Sequence, residues 1–432
     1  MLYQKNLECK YETDVFVAGG GAAGVAAAVA AARQGKRVFL AEATGCFGGL
    51  GTSGMVPAFA PFDDGERMIA TGIGLEIRKN VSRHIPLTKY WTSIDTEELK
   101  REYDSIVEEA GIQYSFFTTV YDVLREGDHV TGVILGSKSG LFSVKAKIYI
   151  DCTGDGDLCA FGGGEFEMGD ENGQVMPQTL CSCWVNIDRD RIPKEPPNKY
   201  IEQAYKEGIL SYEDRHLPGF FHREDGIGGG NIGHTFGINP VDERSLTDAM
   251  VWGRKSMLEY EAYYKTYFQG FERMRLCSTA SILGVRESRR IRCDYMLGVN
   301  DFLARAVFED EIGRYCYPVD IHVMSTDKAE YERFEKEYKK DLRYAKGESY
   351  GIPYRSLIPI SFSNVLVAGR CIGTDRQMQA SIRVMPGCFL TGQAAGTAAV
   401  LACESENVRQ IDVRELQSAL LTLGAYLPNF QR

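Results

Sequence analysis

The chain has no CxxC pair. Its 12 cysteines are scattered through 432 residues, and the closest two, Cys181 and Cys183, flank a single serine. That pattern argues against a disulfide framework and reads as reduced thiols. It also lacks the paired ligands of a zinc finger or ribbon, so no metal is expected. Long apolar runs are missing too. The longest, the alanine-rich stretch after Gly21, falls short of the roughly 20 residues a membrane-crossing helix needs. The opening MLYQKNLECKYETD contains no apolar h-region, so no secretory signal and a cytoplasmic location are expected. Positive charge is in deficit, with 49 Lys and Arg against 59 Asp and Glu and a net charge of −10. Nucleic acid is therefore excluded as the main partner, because phosphate binding needs a basic footprint. The one dense basic cluster is RESRRIR, beginning at Arg286. Tryptophan is scarce, at three isolated residues, and no internal repeat is evident.

What is present begins with DVFVAGGGAAGVAAAVAAARQGKRVFLAEA, residues 14 to 43. Val15 to Ala18 reads as a buried strand, residues 22 to 34 as an alanine-rich helix stopped by Gly35, and RVFLAE as a second buried strand. Gly19, Gly21 and Gly24 fall at the GxGxxG positions. The first permits the tight turn, the second lets backbone approach a pyrophosphate, and the third allows close helix–strand packing. The helix N-terminus at Ala22 and Ala23 supplies free N–H groups for a diphosphate. Glu42, followed by Ala43, stands where a carboxylate accepts hydrogen bonds from an adenosine ribose.

A length of 432 residues suggests about two domains. After Glu42 the βαβ alternation stops at a glycine-rich loop, GCFGGLGTSG, and residues 60 to 95 show no clear period. TEELKREYDSIVEEA (96 to 110) is an amphipathic helix with Leu99, Tyr103, Ile106, Val107 and Ala110 on one face. Residues 112 to 150 read as a strand and an antiparallel meander ending in KIYID. Two helices are expected near 245 to 269 and 328 to 345, a strand at 364 to 369, and a helix from Pro386. A sheet built from such widely separated segments suits an extended ligand, FAD rather than NAD. The expected fold is α/β. A Rossmann-like FAD-binding domain, a parallel sheet with a β-meander, is assembled from 1–60, 96–160 and 350–432, and an α+β substrate domain is inserted from 61–95 and 161–349.

Seven segments together resemble the FAD-dependent oxidoreductase family of the glutathione-reductase-like superfamily. They are the opening motif, GCFGGLGTSGMV, AKIYIDCTGDGDLCAFGG, LGVRESRRIRCDYML, YPVDIH, IPYRSLIP and NVLVAGRCIG…SIRVMPGCFLTGQAAGTAA, in that order. The resemblance implies that Gly48, Gly49 and Thr52 approach the flavin diphosphate or ribityl chain and that backbone at Val120 faces adenine. Thr153, Gly154 and Asp155 would lie beside the cofactor, and Gly369 and Arg370 on the ribityl side. The helix opened by Pro386 and Gly387 would point its N-terminus at the pyrimidine end of the isoalloxazine. The resemblance is specific for the family and weak for substrate.

Several residues are candidates for the chemistry. Cys46 lies in the loop expected to cross under the flavin, but without the second cysteine of a CxxxxC dithiol. His322 is the leading acid–base candidate, with Asp320 expected to alternate with it on a strand and to orient or tune it; His234, in a glycine-rich loop, is the second. Arg286, Arg289 and Arg290 form either an anion clamp or ion pairs with Glu287 or Asp294. Tyr354, Arg355 and Arg383 re-enter the cofactor domain and could reach the flavin. DCTGDGD is excluded as a calcium loop, because position 12 is Gly162 and not glutamate.

The expected activity is hydride transfer between flavin N5 and a small-molecule substrate that is a hydroxy acid, sugar-like alcohol, amine or enoate. A flavin monooxygenase is the alternative within enzymes, although the halogenase-type WxWxIP stretch is absent. A redox sensor or assembly subunit is the alternative outside them. The electron partner and oligomeric state stay open, and with no second GxGxxG a built-in NADPH site is not expected.

Overall fold

A computed structural model describes residues 4, 6–81, 83–87, 90–215, 217, 219–223 and 226–431. Its first unit is a strand–helix–strand: β1 (Cys9–Ala18), α1 (Ala22–Arg33) and β2 (Val38–Ala41). β1 and β2 run parallel, with Val15 opposite Val38 and Ala18 opposite Ala41. α1 ends as its glycine predicts. Gly35 adopts φ +83°, and the N–H groups of Gly35 and Lys36 return to the carbonyls of Ala32 and Ala31.

Next come α2 (Thr96–Glu109), β3 (Gln113–Ser115), β4 (Thr119–Glu126), β5 (His129–Ser137) and β6 (Gly140–Asp151). α2 is capped by Asp95, whose carboxylate accepts from the N–H groups of Glu97 and Glu98. It buries Leu99, Tyr103, Ile106 and Val107, while Ala110 is its C-cap. The sheet order is β3-β2-β1-β6-β5-β4. β6 pairs parallel with β1 along one edge and serves two partners on the other. Its first half pairs antiparallel with β5, and its last residues, Tyr149 to Asp151, pair parallel with β11 (Val365–Val367), which arrives more than 200 residues later. The sheet is therefore parallel in its centre and antiparallel in its meander.

A second, four-stranded sheet is formed by β7 (Ser182–Val185), β8 (Gly219–His222), β9 (Gly228–Asn231) and β10 (Arg275–Thr279), in the order β8-β9-β7-β10. α3 (Glu243–Tyr267) shares its apolar core with this sheet through Met257, Tyr260, Tyr263 and Tyr264, packed around Trp184. The helix expected at 328 to 345 spans Lys328–Asp341.

Helix α4 (Met385–Ala402) is apolar around its whole circumference and buried nearly throughout, as is α1. The two touch backbone to backbone. A Cβ at Gly392 would stand 2.1 Å from the carbonyl oxygen of Ala23, and one at Gly396 would stand 2.1 Å from that of Ala27. No single described helix is long and apolar enough to cross a membrane.

The aperiodic segment 60 to 95 contains a short helix, Ile73–Asn80, that the sequence pattern did not disclose. Its Ile73 and Ile77 belong to the same buried cluster as the central sheet, and its first N–H is received by Gln393 of α4. Ile291, Phe302, Ile312 and Tyr315 join that cluster too. We propose a division in which these segments stay with the sheet. The inserted unit then narrows to roughly residues 178 to 285, whose apolar residues form separate clusters.

Candidate active site

The C-terminal ends of β1, β2 and β6 open onto a cavity of about 450 Å³. Gly19 (φ +89°) turns the chain from β1 into α1, and its N–H donates to Ala41. Gly24 is needed for packing, because a Cβ there would meet the Gly19 carbonyl oxygen at 1.8 Å. Gly21 differs. A Cβ on it would have no protein atom within 4 Å, so its missing side chain is space left for a ligand. Glu42 ties the loop together, accepting the N–H of Gly20 on Oε2 and that of Thr44 on Oε1, both at 2.7 Å. Each oxygen keeps a second lone pair. Gly48 continues the cradle, donating its N–H to Gly20.

The lining brings together Gly19, Gly21, Ala22, Ala23, Glu42, Ala43, Gly48, Gly49, Val120, Thr153, Gly154, Asp155, Gly369 and Arg370. Four other candidates are outside it. Gly24 packs the turn. Thr52 is buried and donates to the carbonyl of Phe47. Pro386 lies in the first turn of α4, and Gly387 packs on the carbonyl of Ile382. At that end of the cavity the wall is made by Arg383, Met385 and Cys388 instead. One wall was illegible in the sequence: Pro240, Leu246, Met250, Ile282 and Leu283 of the inserted unit give it an apolar face.

The volume of the cavity, a helix N-terminus at Ala22, the open face of Gly21 and a second helix N-terminus at Met385 all suit a dinucleotide with an attached ring system. Residues 14–420 match the FAD dependent oxidoreductase family. The chain belongs to that family. FAD is its cofactor, and this FAD-dependent oxidoreductase is an enzyme.

Solved structures are similar over most of their length. A geranylgeranyl bacteriochlorophyll reductase-like protein from Thermoplasma acidophilum is 13% identical at a TM-score of 0.47, with 96% of this chain and 83% of that one covered. A flavoprotein/dehydrogenase from Cytophaga hutchinsonii is 12% identical at 0.46, covering 94% and 81%. A p-nitrophenol 4-monooxygenase from Pseudomonas putida DLL-E4 is 11% identical at 0.42, covering 96% and 85%.

A second cavity of about 130 Å³ adjoins the first in this oxidoreductase. Leu50, Val285, Arg370, Arg383 and Met385 line both. His322 and Asp320 stand in its wall. The strand expected to carry them is not formed at 316–323. Behind His322 lies His234, and behind that Asp214, for which residue type and spacing offer no signal. Asp214 is a single acid in an aperiodic stretch, brought there only by the fold.

The spacing is that of a hydrogen-bonded chain. His234 Nδ1 is 2.8 Å from an Asp214 oxygen, and His234 Nε2 is 2.8 Å from His322 Nδ1. All three side chains are buried. The pattern assigns the tautomers. The carboxylate can only accept, so His234 Nδ1 carries the proton and donates. With both rings neutral, His234 Nε2 accepts from His322 Nδ1 and His322 Nε2 is the basic nitrogen, 3.6 Å from Asp320 Oδ2. Asp320 Oδ2 also receives Tyr317 Oη at 3.2 Å and stands 3.4 Å from an Arg383 nitrogen. Gly233 (φ +76°) sets His234 in place. A Cβ there would overlap Tyr260 of α3, so the loop packs flat on that helix and turns the imidazole inward.

The basic cluster divides among different jobs. Arg290 pairs with Glu287, Arg292 with Glu167, and Arg289 with Asp157 while also donating to the Asp155 carbonyl. Arg289 therefore braces the 153–157 loop and lies outside both cavity linings. Asp294 pairs with Arg409. Tyr354 is buried with its hydroxyl on the Val408 carbonyl, and Arg355 is bound to Asp310; neither reaches a cavity. Cys46 also lies outside both linings, 3.3 Å from Ser53 Oγ. Arg370, held by Asp155 at 2.9 Å and Ser288, stands between the two cavities. Burial, together with Asp155 and Asp151, pushes the Asp157 carboxyl up to about 6, against the pull of Arg289.

Proposed function

We propose that this enzyme transfers a hydride between FAD and a small polar substrate (a hydroxy acid, sugar-like alcohol, amine or enoate) seated in the cavity beside His322. One observation carries the reading: the Asp214–His234–His322 chain ends in a cavity that shares a wall with the cofactor cavity. Bound FAD supplies the hydride acceptor or donor, at its N5.

The protein's part is the proton. His322 Nε2 takes a proton from a substrate O–H or N–H, or returns it in the reverse direction. The positive charge then reaching the imidazole is offset by Asp320 on one side and Asp214, through His234, on the other. Arg370 and Arg383, with the N-terminus of α4, line the wall shared by the two cavities and set positive potential there. Trp91, Phe221, Val56 and Pro57 close the substrate side with apolar surface that excludes water.

The test is an anaerobic screen of purified holoenzyme against small alcohols, hydroxy acids, amines and enoates. Absorbance at the flavin band reports bleaching by a donor, or reoxidation of the reduced enzyme by an acceptor. Bleaching or reoxidation by one chemical class supports the reading. No response to any class, with a full complement of FAD, overturns it.

A further inference from the structure

Of the arginines at the substrate cavity, Arg370 is paired with Asp155 and Arg383 with Asp320. Arg286 is the exception. It is buried at 7% exposure, and no carboxylate lies within ion-pair distance among the described residues. Its guanidinium donates only to neutral acceptors: the Pro177 carbonyl at 3.0 Å, Thr179 Oγ1 at 2.7 Å and Asn231 Oδ1 at 3.0 Å. A guanidinium has five N–H donors. Nε and one Nη2 hydrogen of Arg286 therefore have no acceptor among the described residues. The Nδ2 of Asn231, held beside Arg286 and in the same cavity wall, makes no hydrogen bond there either.

We propose that Arg286, with Asn231, is the anchor for a carboxylate on the substrate, so that the substrate class narrows to small hydroxy acids or enoates. The charge count agrees. Arg286, Arg370 and Arg383 line the cavity with Asp320 the sole carboxylate in the lining, and Asp155 balances Arg370 from outside. Within the lining itself three guanidinium groups face one carboxylate, which suits an anionic substrate. Burial pulls the Arg286 pKa down to about 10, with the Arg383 charge adding to it, which still leaves the group charged at neutral pH. Two parallel donors match two oxygens of a planar anion better than one alcohol or amine. The FAD diphosphate is not the missing partner, because Arg286 is absent from the cofactor cavity whose phosphate cradle is Gly19 to Ala22.

This inference rests on the hydride-transfer reading, and the test separates the two. Oxidised holoenzyme is titrated by calorimetry and by flavin-spectrum perturbation with glycolate, lactate and crotonate, each against its primary amide, and with inorganic phosphate. The acids are expected to bind about 10- to 100-fold tighter than the amides. R286Q should remove that preference at unchanged FAD content, and N231L should reduce it. Equal binding of acid and amide by the wild-type protein overturns the proposal without any variant. So does tighter binding of phosphate than of every acid, an unchanged preference in R286Q, or flavin reduction by a neutral alcohol or amine alone. Acids that bind through Arg286 but never exchange a hydride would leave the anchor standing and sink the hydride reading.

Discussion

His234 Nε2 stands 2.8 Å from His322 Nδ1, and Asp214 closes the far side of His234 at the same distance. His322 touches the cavity, whereas Asp214 acts through another side chain, so their variants should behave differently. H322Q should slow flavin reduction by about 10²- to 10⁴-fold, with the FAD content of the purified protein unchanged. D214N should lower kcat with little change in KM, because the substrate never touches it. D214E should restore part of the loss, since a carboxylate can still orient His234. Stopped-flow reduction and steady-state kinetics read both. Equal loss in D214N and D214E, or a loss confined to KM, would count against the relay.

The opening glycines separate two functions that the motif alone merges. At Gly21 a side chain meets no protein atom within 4 Å, so G21V should fold and lose only cofactor. It should purify colourless, with a circular-dichroism spectrum and a cooperative melt close to those of wild-type apoprotein. At Gly24 a Cβ falls 1.8 Å from the Gly19 carbonyl, so G24V should damage the turn itself and yield little soluble protein. Flavin absorbance and melting curves of the two variants decide the matter. Stoichiometric FAD in G21V would falsify the assignment of this loop to the diphosphate.

Much of the cofactor half was legible because its signals are local. A strand ending in glycines, an alanine helix and a closing acid lie within 30 residues, and periodicity alone marks α2 and the meander. The chemistry was legible only in part. His234 and His322 could be picked by residue type, but their contact spans 88 positions and depends on how the inserted unit sits on the sheet. Asp214 carried no signal at all. RESRRIR showed a dense cluster without showing which arginine is left without a counter-charge. That depends on where Glu287, Glu167 and Asp157 fall in space. The helix Ile73–Asn80 was hidden because it is short and half covered, so its apolar residues do not fall into a complete stripe.

Asp157 makes stability depend on pH. Burial, Asp155 and Asp151 raise its carboxyl from 3.8 to about 6 in the folded chain. The folded state thus holds this proton more tightly than the unfolded state. The site's contribution is full below pH 3.8 and is lost as pH rises through about 6. D157N has no such proton to lose. Relative to wild type, its melting temperature should rise progressively between pH 4 and 6 and level off above that range. Thermal melts of the two proteins across pH 4 to 8 test this, and a difference that is constant with pH would show that the carboxyl is not raised.

The contact between α1 and α4 gives the last prediction, and it concerns how the cofactor site is held. α1 lines the cofactor cavity with Ala22 and Ala23 and α4 lines it with Met385 and Cys388, so the spacing of the two helices sets how those walls stand apart. That spacing depends on two glycines. A methyl at Gly396 would stand 2.1 Å from the Ala27 carbonyl oxygen, with backbone rather than a movable side chain in the way. The helices must separate to admit it, and overpacking of this kind costs about 1–3 kcal/mol. G396A should therefore lower the denaturant midpoint and also weaken FAD binding, although residue 396 is three turns from the cavity end of α4. Loss of stability with unchanged FAD affinity would mean that the strain is absorbed before it reaches the site. A neutral variant would mean that the two helices do not touch through their backbones.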